Sequence, residues 1–312
     1  MKKTAGIHHI SAIVGHPQEN VDFYASVLGL RLVKRTINFD DPGTYHLYFG
    51  NNGGKPGTII TFFPWAGARH GRIGGGQVGA TTYVIPVGSM DFWEDRLTKH
   101  HIEFDKSERF GETYLAFADP HGLQLELVER EAGEANPWTM GNITKDTAIK
   151  GFGGAVLFST DPEKTKETLQ DVMGLEKVGA EGDLIRFNSP ADIGNIIDVK
   201  QTKVPRGRMG VGTVHHIAWR AKDDEDQLDW QYYLGDKGYG VTEVKDRNYF
   251  NAIYFREHGE ILFEVATDTP GFAYDESYET MGEALKLPSQ YEQFREQLNE
   301  KLIPIKVRNL DE

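Results

Sequence analysis

Two adjacent-histidine pairs stand out among the residues able to do chemistry. One lies in Ile7-His8-His9-Ile10-Ser11-Ala12, the other in Val214-His215-His216-Ile217-Ala218-Trp219, roughly 200 residues further on. Each opens a β-branched and aliphatic run. Downstream of the second lies Ile261-Leu262-Phe263-Glu264-Val265, a strand-like run with a single carboxylate inside it. Two imidazoles and one carboxylate make the ligand set of non-haem iron(II) oxygenases, which leaves coordination positions open for substrate and dioxygen. The expected ligands are His9, His216 and Glu264, holding iron(II), with Mn(II) or Zn(II) as substitutes.

Side chains alternate along a strand, and this selects one histidine from each pair. His9 is in phase with Ser11 and His216 with Ala218, small or polar neighbours that suit a pocket. His8 is in phase with Ile10, Ala12 and Val14, and His215 with Ile217 and Trp219, which suits packing against helices. Glu264 falls in phase with Leu262 and Ala266. His8 and His215 sit at strand starts, where the pleat is often irregular, so alternation leaves open whether they reach the pocket rim.

These residues need elements to bring them together, and the chain supplies them by repetition. Residues 1–64 read as strand, helix and further strands: Ile7 to Val14, then Val21 to Leu28 stopped by Gly29, then Tyr45 to Phe49 and Thr58 to Phe63. A second copy follows the Gly-rich bridge Gly71 to Gly79, with Trp93 and Leu97 four apart on its helix and closing strands Thr113 to Phe117 and Leu123 to Val128. A third begins at Gly153, with Asp161-Pro162 as helix cap and first turn. Its helix ends in Val172-Met173-Gly174-Leu175, echoing Val27-Leu28-Gly29-Leu30. The fourth starts at the second histidine pair, and Trp230 and Leu234 repeat the spacing of Trp93 and Leu97. The fold class expected is α+β, four βαβββ modules paired into two half-open barrel domains. The domains expected are residues 1–131, a linker over 132–150, residues 151–270, and a helical tail over 271–312 that packs on the surface or at a homo-oligomer contact.

The first strands of the second and third copies hold no histidine, and their closing strands show one obvious carboxylate, Glu126, read as structural. The first copy offers Thr58 and Thr61 where a fourth ligand would stand. His46 and His70 receive no assignment, and His100-His101 reads as a solvated helix end. Gly74 to Gly79 fits GxGxxG, but a strand follows it, so dinucleotide binding is not expected. The acidic run Asp223 to Asp226 suits a helix N-terminus.

The chain has 312 residues, 39% of them hydrophobic, and no cysteine, which rules out disulfides, thiolate metal sites and a cysteine nucleophile. No apolar run is long enough to span a membrane. No apolar stretch follows the basic Met1-Lys2-Lys3, so no signal peptide is expected and a cytoplasmic location is. A net charge of −13 argues against nucleic-acid partners.

From Gly6 to about Phe272 the chain resembles the vicinal oxygen chelate superfamily, the glyoxalase/bleomycin-resistance/dioxygenase group. Within that group it looks most like the hydroquinone-type ring-cleaving dioxygenases. The stretches that carry the likeness are Gly6 to Ile10, Asp40 to Phe49, Pro56 to Pro64, Gly212 to Trp219 and Asp246 to Val265. The resemblance implies a mononuclear iron(II) site on His9, His216 and Glu264. It further implies supporting roles for His8, Ser11, His215, Arg247 and Tyr254, with Ser11 standing where relatives carry threonine. The partners implied are a small aromatic substrate of hydroquinone or catechol type and dioxygen. A second-sphere histidine, His8 or His215, would move the phenol proton, Arg247 would hold a substrate oxygen, and Tyr254 would hydrogen-bond an oxygen intermediate. Two other functions fit the same fold: a glyoxalase-like metal lyase or isomerase, which would want a fourth protein ligand, and a non-catalytic small-molecule binder, which would lack the triad.

Overall fold

Each of the four repeated segments folds into one strand, a helical turn and three further strands. The computed structural model describes residues 2–311. The first module contains β1 (Ile7–Val14), α1 (Pro17–Val21), β2 (Arg31–Asn38), β3 (Asp41–Gly50) and β4 (Ile59–Pro64). The second contains β5 (Gln77–Ile85), α2 (Met90–Lys99), β6 (Phe104–Arg109), β7 (Glu112–Ala118) and β8 (Gln124–Glu129). The third contains β9 (Gly151–Phe158), α3 (Pro162–Glu167), β10 (Glu176–Glu181), β11 (Leu184–Asn188) and β12 (Ile196–Lys200). The fourth contains β13 (Thr213–Ala221), α4 (Asp224–Asp236), β14 (Lys245–Asp246), β15 (Phe250–Arg256) and β16 (Leu262–Pro270).

The helices begin and end for local reasons. Asp161 and Asp223 cap α3 and α4, accepting from the backbone N–H of Lys164 and Asp226. Both α1 and α3 run on into a wider π-helical turn, over Asp22–Val27 and Thr168–Val172. Gly29 and Gly174 then leave the helix at φ +67° and +75°, a conformation that glycine adopts without steric cost. Trp93, Leu97, Trp230 and Leu234 are buried in the main core, as their four-residue spacing implies.

The strands form two eight-stranded sheets, ordered β14-β15-β16-β13-β1-β4-β3-β2 and β10-β11-β12-β9-β5-β8-β7-β6. Within each, two first strands meet antiparallel at the centre, β1 with β13 and β5 with β9. The first module thus shares its sheet with the fourth, and the second with the third. Sheet pairing runs across the sequence halves 1–131 and 151–270. The two chain passes that link the sheets run side by side, joined at His70–Val211, Arg72–Arg208 and Gly75–Arg206.

The tail over 271–311 lies against the first module. It includes the short helix α5 (Arg295–Lys301), and Leu285, Leu298, Leu302 and Ile305 complete the main core. Its end is pinned where Asp311 accepts from the Arg96 guanidinium at 3.0 Å. Among the described residues no helix is long and apolar enough to cross a membrane.

Candidate metal centre and pocket

The central β1–β13 pair sets the site. Ser11 lies opposite His216, and His9 opposite Ala218, so the two inward imidazoles approach across one antiparallel ladder. β16 runs parallel to β13 and puts Glu264 beside Ala218. The His9 and His216 Nε2 atoms lie 3.2 Å apart, and Glu264 Oε2 lies 2.8 Å from His216 Nε2 and 3.6 Å from His9 Nε2. The three residues form the only group of metal-ligating side chains that converges among the described residues.

The donor set fits a divalent cation. Both Glu264 oxygens are fully buried without a well-directed hydrogen bond, close as His216 lies. Burial alone would raise this carboxyl, but His9 and His216 hold it well below the usual carboxylate range. Two imidazole nitrogens and a carboxylate oxygen within 3.6 Å of one another are satisfied together by a metal ion.

Each inward histidine leans on its outer neighbour. His9 Nδ1 is 2.9 Å from His8 Nδ1, and His216 Nδ1 is 2.7 Å from His215 Nδ1. With Nε2 given to a metal, the inner ring must carry its proton on Nδ1 and donate it to the outer ring, which fixes tautomer and orientation in both pairs. Burial pushes the outer rings down, His8 well below the usual imidazole value and His215 to about 3, so both stay neutral acceptors at neutral pH.

A cavity of about 220 Å³ opens from this face. Of the residues expected from the sequence, His9, His216, Glu264, Ser11, His215, Arg247 and Tyr254 line it, whereas His8 lies behind His9, packed against Phe250. Arg247 Nε donates to the Tyr254 hydroxyl at 3.3 Å and pairs with Asp40 at 3.1 Å. Burial and then Glu264 raise Tyr254 well above the usual phenol value, so it remains a hydrogen-bond donor. Several lining residues were given no role by the sequence: Asn38, Phe39 and Asp40 at the β2–β3 turn, His46 on β3, Phe63 on β4 and Phe250 on β15. His46 and Asp40 are of types able to do chemistry; the aromatic rings are brought in by long-range pairing.

The register also answers the question of a fourth ligand. Ser11 pairs with Thr61 as Ala218 pairs with Glu264, so Thr61 is the pseudo-twofold mate of Glu264. A hydroxyl therefore stands where a lyase of this fold would want its extra carboxylate or imidazole. In the other sheet the positions of His9, His216, Glu264 and Thr61 fall on Ala80, Gly154, Asp198 and Glu126. Asp198, on the closing strand of the third module, corrects the expectation that Glu126 is the one carboxylate there. Neither carboxylate is free: Arg109 binds both Glu126, at 2.6 Å, and Asp198, at 3.1 Å.

Paired βαβββ half-barrels with a His-His-Glu set on the concave side define the class of protein. Residues 6–127 and 151–265 match the Glyoxalase/Bleomycin resistance protein/Dioxygenase superfamily, and the chain belongs to that family. It is 70% identical over 310 residues, 99% of both chains, to MhqO of Bacillus subtilis (strain 168), which bears a provisional name as a ring-cleaving dioxygenase. It is 33% identical over 307 residues, 95% of both chains, to a chlorohydroquinone/hydroquinone 1,2-dioxygenase of Sphingobium indicum. A crystal structure of a provisionally named Bacillus subtilis dioxygenase, also 70% identical, superposes with a TM-score of 0.99 over 99% of this chain and 100% of that one.

Proposed function

We propose that this chain is a non-haem iron(II) dioxygenase that opens the ring of hydroquinone- or catechol-type aromatics. The observation that carries the reading is the buried His9–His216–Glu264 face opening onto a small pocket walled by Phe39, Phe63, Phe250 and Leu262. Three protein ligands leave room for two small guests, as dioxygen chemistry requires. The names of the relatives support the same class of reaction.

His9, His216 and Glu264 would hold the iron, which when bound supplies a Lewis-acidic seat for a phenolate oxygen and an electron path between ring and dioxygen. The aromatic wall orients a flat ring and excludes water. Arg247 is half-buried and stays cationic, so it can hold an anionic oxygen of the guest. Tyr254 offers its O–H beside His216, with ring centroids 5.7 Å apart. Of the two outer histidines, His215 borders the guest. Its Nδ1 accepts from His216, so its neutral ring carries the proton on Nε2 and can donate a hydrogen bond from there to an oxygen of the guest. His8 serves to orient His9.

Oxygen uptake by anaerobically purified, iron(II)-loaded protein given methylhydroquinone tests this reading. Uptake with a ring-opened product is expected, and His216→Ala should abolish it together with iron binding. Uptake that survives His216→Ala would remove the triad from the reaction. Turnover of a hemithioacetal without any oxygen uptake would replace the dioxygenase by a lyase.

A further inference from the structure

A chain of hydrogen bonds runs from the core to the pocket beside His9. The Tyr48 hydroxyl lies 2.8 Å from His46 Nδ1, His46 Nε2 lies 2.8 Å from Thr61 Oγ1, and Thr61 Oγ1 lies 2.7 Å from Ser11 Oγ. All four residues are on the first module, and the chain passes through Thr61, the pseudo-twofold mate of Glu264, to end at Ser11. Sequence reading left His46 without a role.

The chain can point only one way without waste. Tyr48 is buried, and among the described residues its hydroxyl has no hydrogen-bond partner besides His46. If His46 donated to Tyr48, the phenolic proton would be stranded in the core, which costs about 1–3 kcal/mol. Tyr48 therefore donates to Nδ1, and His46 carries its proton on Nε2 and donates to Thr61. Thr61 is fully buried and does not line the pocket, so its proton must go to Ser11. Ser11 does line the pocket, and its own proton is the one donor left over.

We propose that Tyr48, His46 and Thr61 are positioning residues that fix Ser11 as an obligate hydrogen-bond donor, so that this corner of the pocket accepts a phenolate oxygen in preference to a phenol. The inference rests on the dioxygenase reading for the identity of the guest, but the polarity of the chain belongs to the protein alone. Burial holds the His46 ring well below the usual imidazole value, in keeping with a neutral relay. The ring is also clamped between Tyr48 and Phe63, with centroids at 4.1 and 4.3 Å, so it cannot turn to offer the pocket its own N–H.

Nitrogen NMR of ¹⁵N-labelled, metal-free protein reads the polarity directly, with His46 assigned by the signals lost in His46→Gln. The expected pattern is a proton on Nε2 and an unprotonated Nδ1 at neutral pH. A proton on Nδ1 reverses the chain and overturns the proposal. A kinetic cycle on the iron-loaded enzyme tests the consequence. Ser11→Ala should lower kcat/KM for methylhydroquinone roughly 10- to 100-fold, the worth of one donor to a charged oxygen. Tyr48→Phe should lower it less, and the double variant should be no worse than Ser11→Ala alone. Fully additive losses, or an unchanged kcat/KM in Ser11→Ala, would sink it. Should Tyr48→Phe not fold, the nitrogen spectrum still decides. If no aromatic supports oxygen uptake, the reaction assigned above fails while the spectrum keeps its meaning.

Discussion

Each metal-directed imidazole has its back to another imidazole rather than to a carboxylate, and that choice has a cost in acid. Burial is the first cause that holds His8, His46, His215 and His216 below the usual imidazole value. The unfolded chain, with ordinary histidines, then takes up protons before the folded one. The stability these groups contribute is whole above about pH 6.5 and is lost as pH falls toward their folded values, about 3 for His215. Glu264, held low by His9 and His216 against its burial, acts with the same sign at lower pH, its share disappearing as pH drops below about 4.5. Each buried neutral histidine steepens the dependence by about 1.4 kcal/mol per pH unit. Urea unfolding of the metal-free protein should show lower stability at pH 5.5 than at 7.5, and His215→Gln should flatten the slope by about one proton's worth. A flat wild-type profile would mean that these rings are protonated in the folded state.

At the scale of elements, the segment after β16 packs against the half-barrel that holds the site. Phe272 and Met281 from that segment pack with Val33, Tyr48, Tyr249 and Phe250. The Lys34 ammonium on β2 is fully buried, bonded to Asp275 at 2.6 Å and to Glu276, and lies 4.7 Å from the Tyr249 ring centroid. Breaking such a pair from one side leaves a charge unpaired in the core, whereas replacing the cation by an apolar chain of similar volume does not. Asp275→Ala with Glu276→Ala should therefore cost about 3–5 kcal/mol in chemical denaturation, and adding Lys34→Met to that pair should recover much of the loss. Failure of the triple variant to recover would assign the cost to lost packing. These contacts were not legible in the sequence, because a lysine on a strand gives no sign of carboxylates some 240 residues away. The inward triad was legible, since alternation along one strand is a local property and histidine pairs are conspicuous. The pairing of first module with fourth was not, because β1 against β13 and β1 against β5 would bury equally aliphatic faces. Asp198 escaped notice for a related reason: β12 is five residues long and is recognised as a closing strand only once its parallel pairing with β9 is seen.

For the whole molecule, duplication poses a problem that the two sheets solve differently. Both halves retain carboxylates at the positions of Glu264 and its mate, or a hydroxyl in place of one. The first–fourth half has Glu264 and Thr61 with two imidazoles, and His9, His216 and Glu264 converge so that they could hold a metal ion. The second–third half has Asp198 and Glu126 with Ala80 and Gly154 where the imidazoles would stand. Two buried carboxylates held by one arginine would repel without it, and here a guanidinium takes the place a metal ion would hold. Arg109 bridges the pair, Arg186 adds a second bond to Asp198 at 2.8 Å, and Arg130 and Arg186 share Glu112. A guanidinium is permanently charged and supplies its own planar fork, so this half needs no metal and offers none a seat. Arg109→Met should destabilise the protein by about 3 kcal/mol or more, because it strands Glu126 against Asp198. It should leave iron content at about one per chain and KM for methylhydroquinone unchanged, since both depend on the other half. Metal analysis beside a urea melt separates the two effects. A wild-type stoichiometry near two would show that the arginine-filled half binds metal after all.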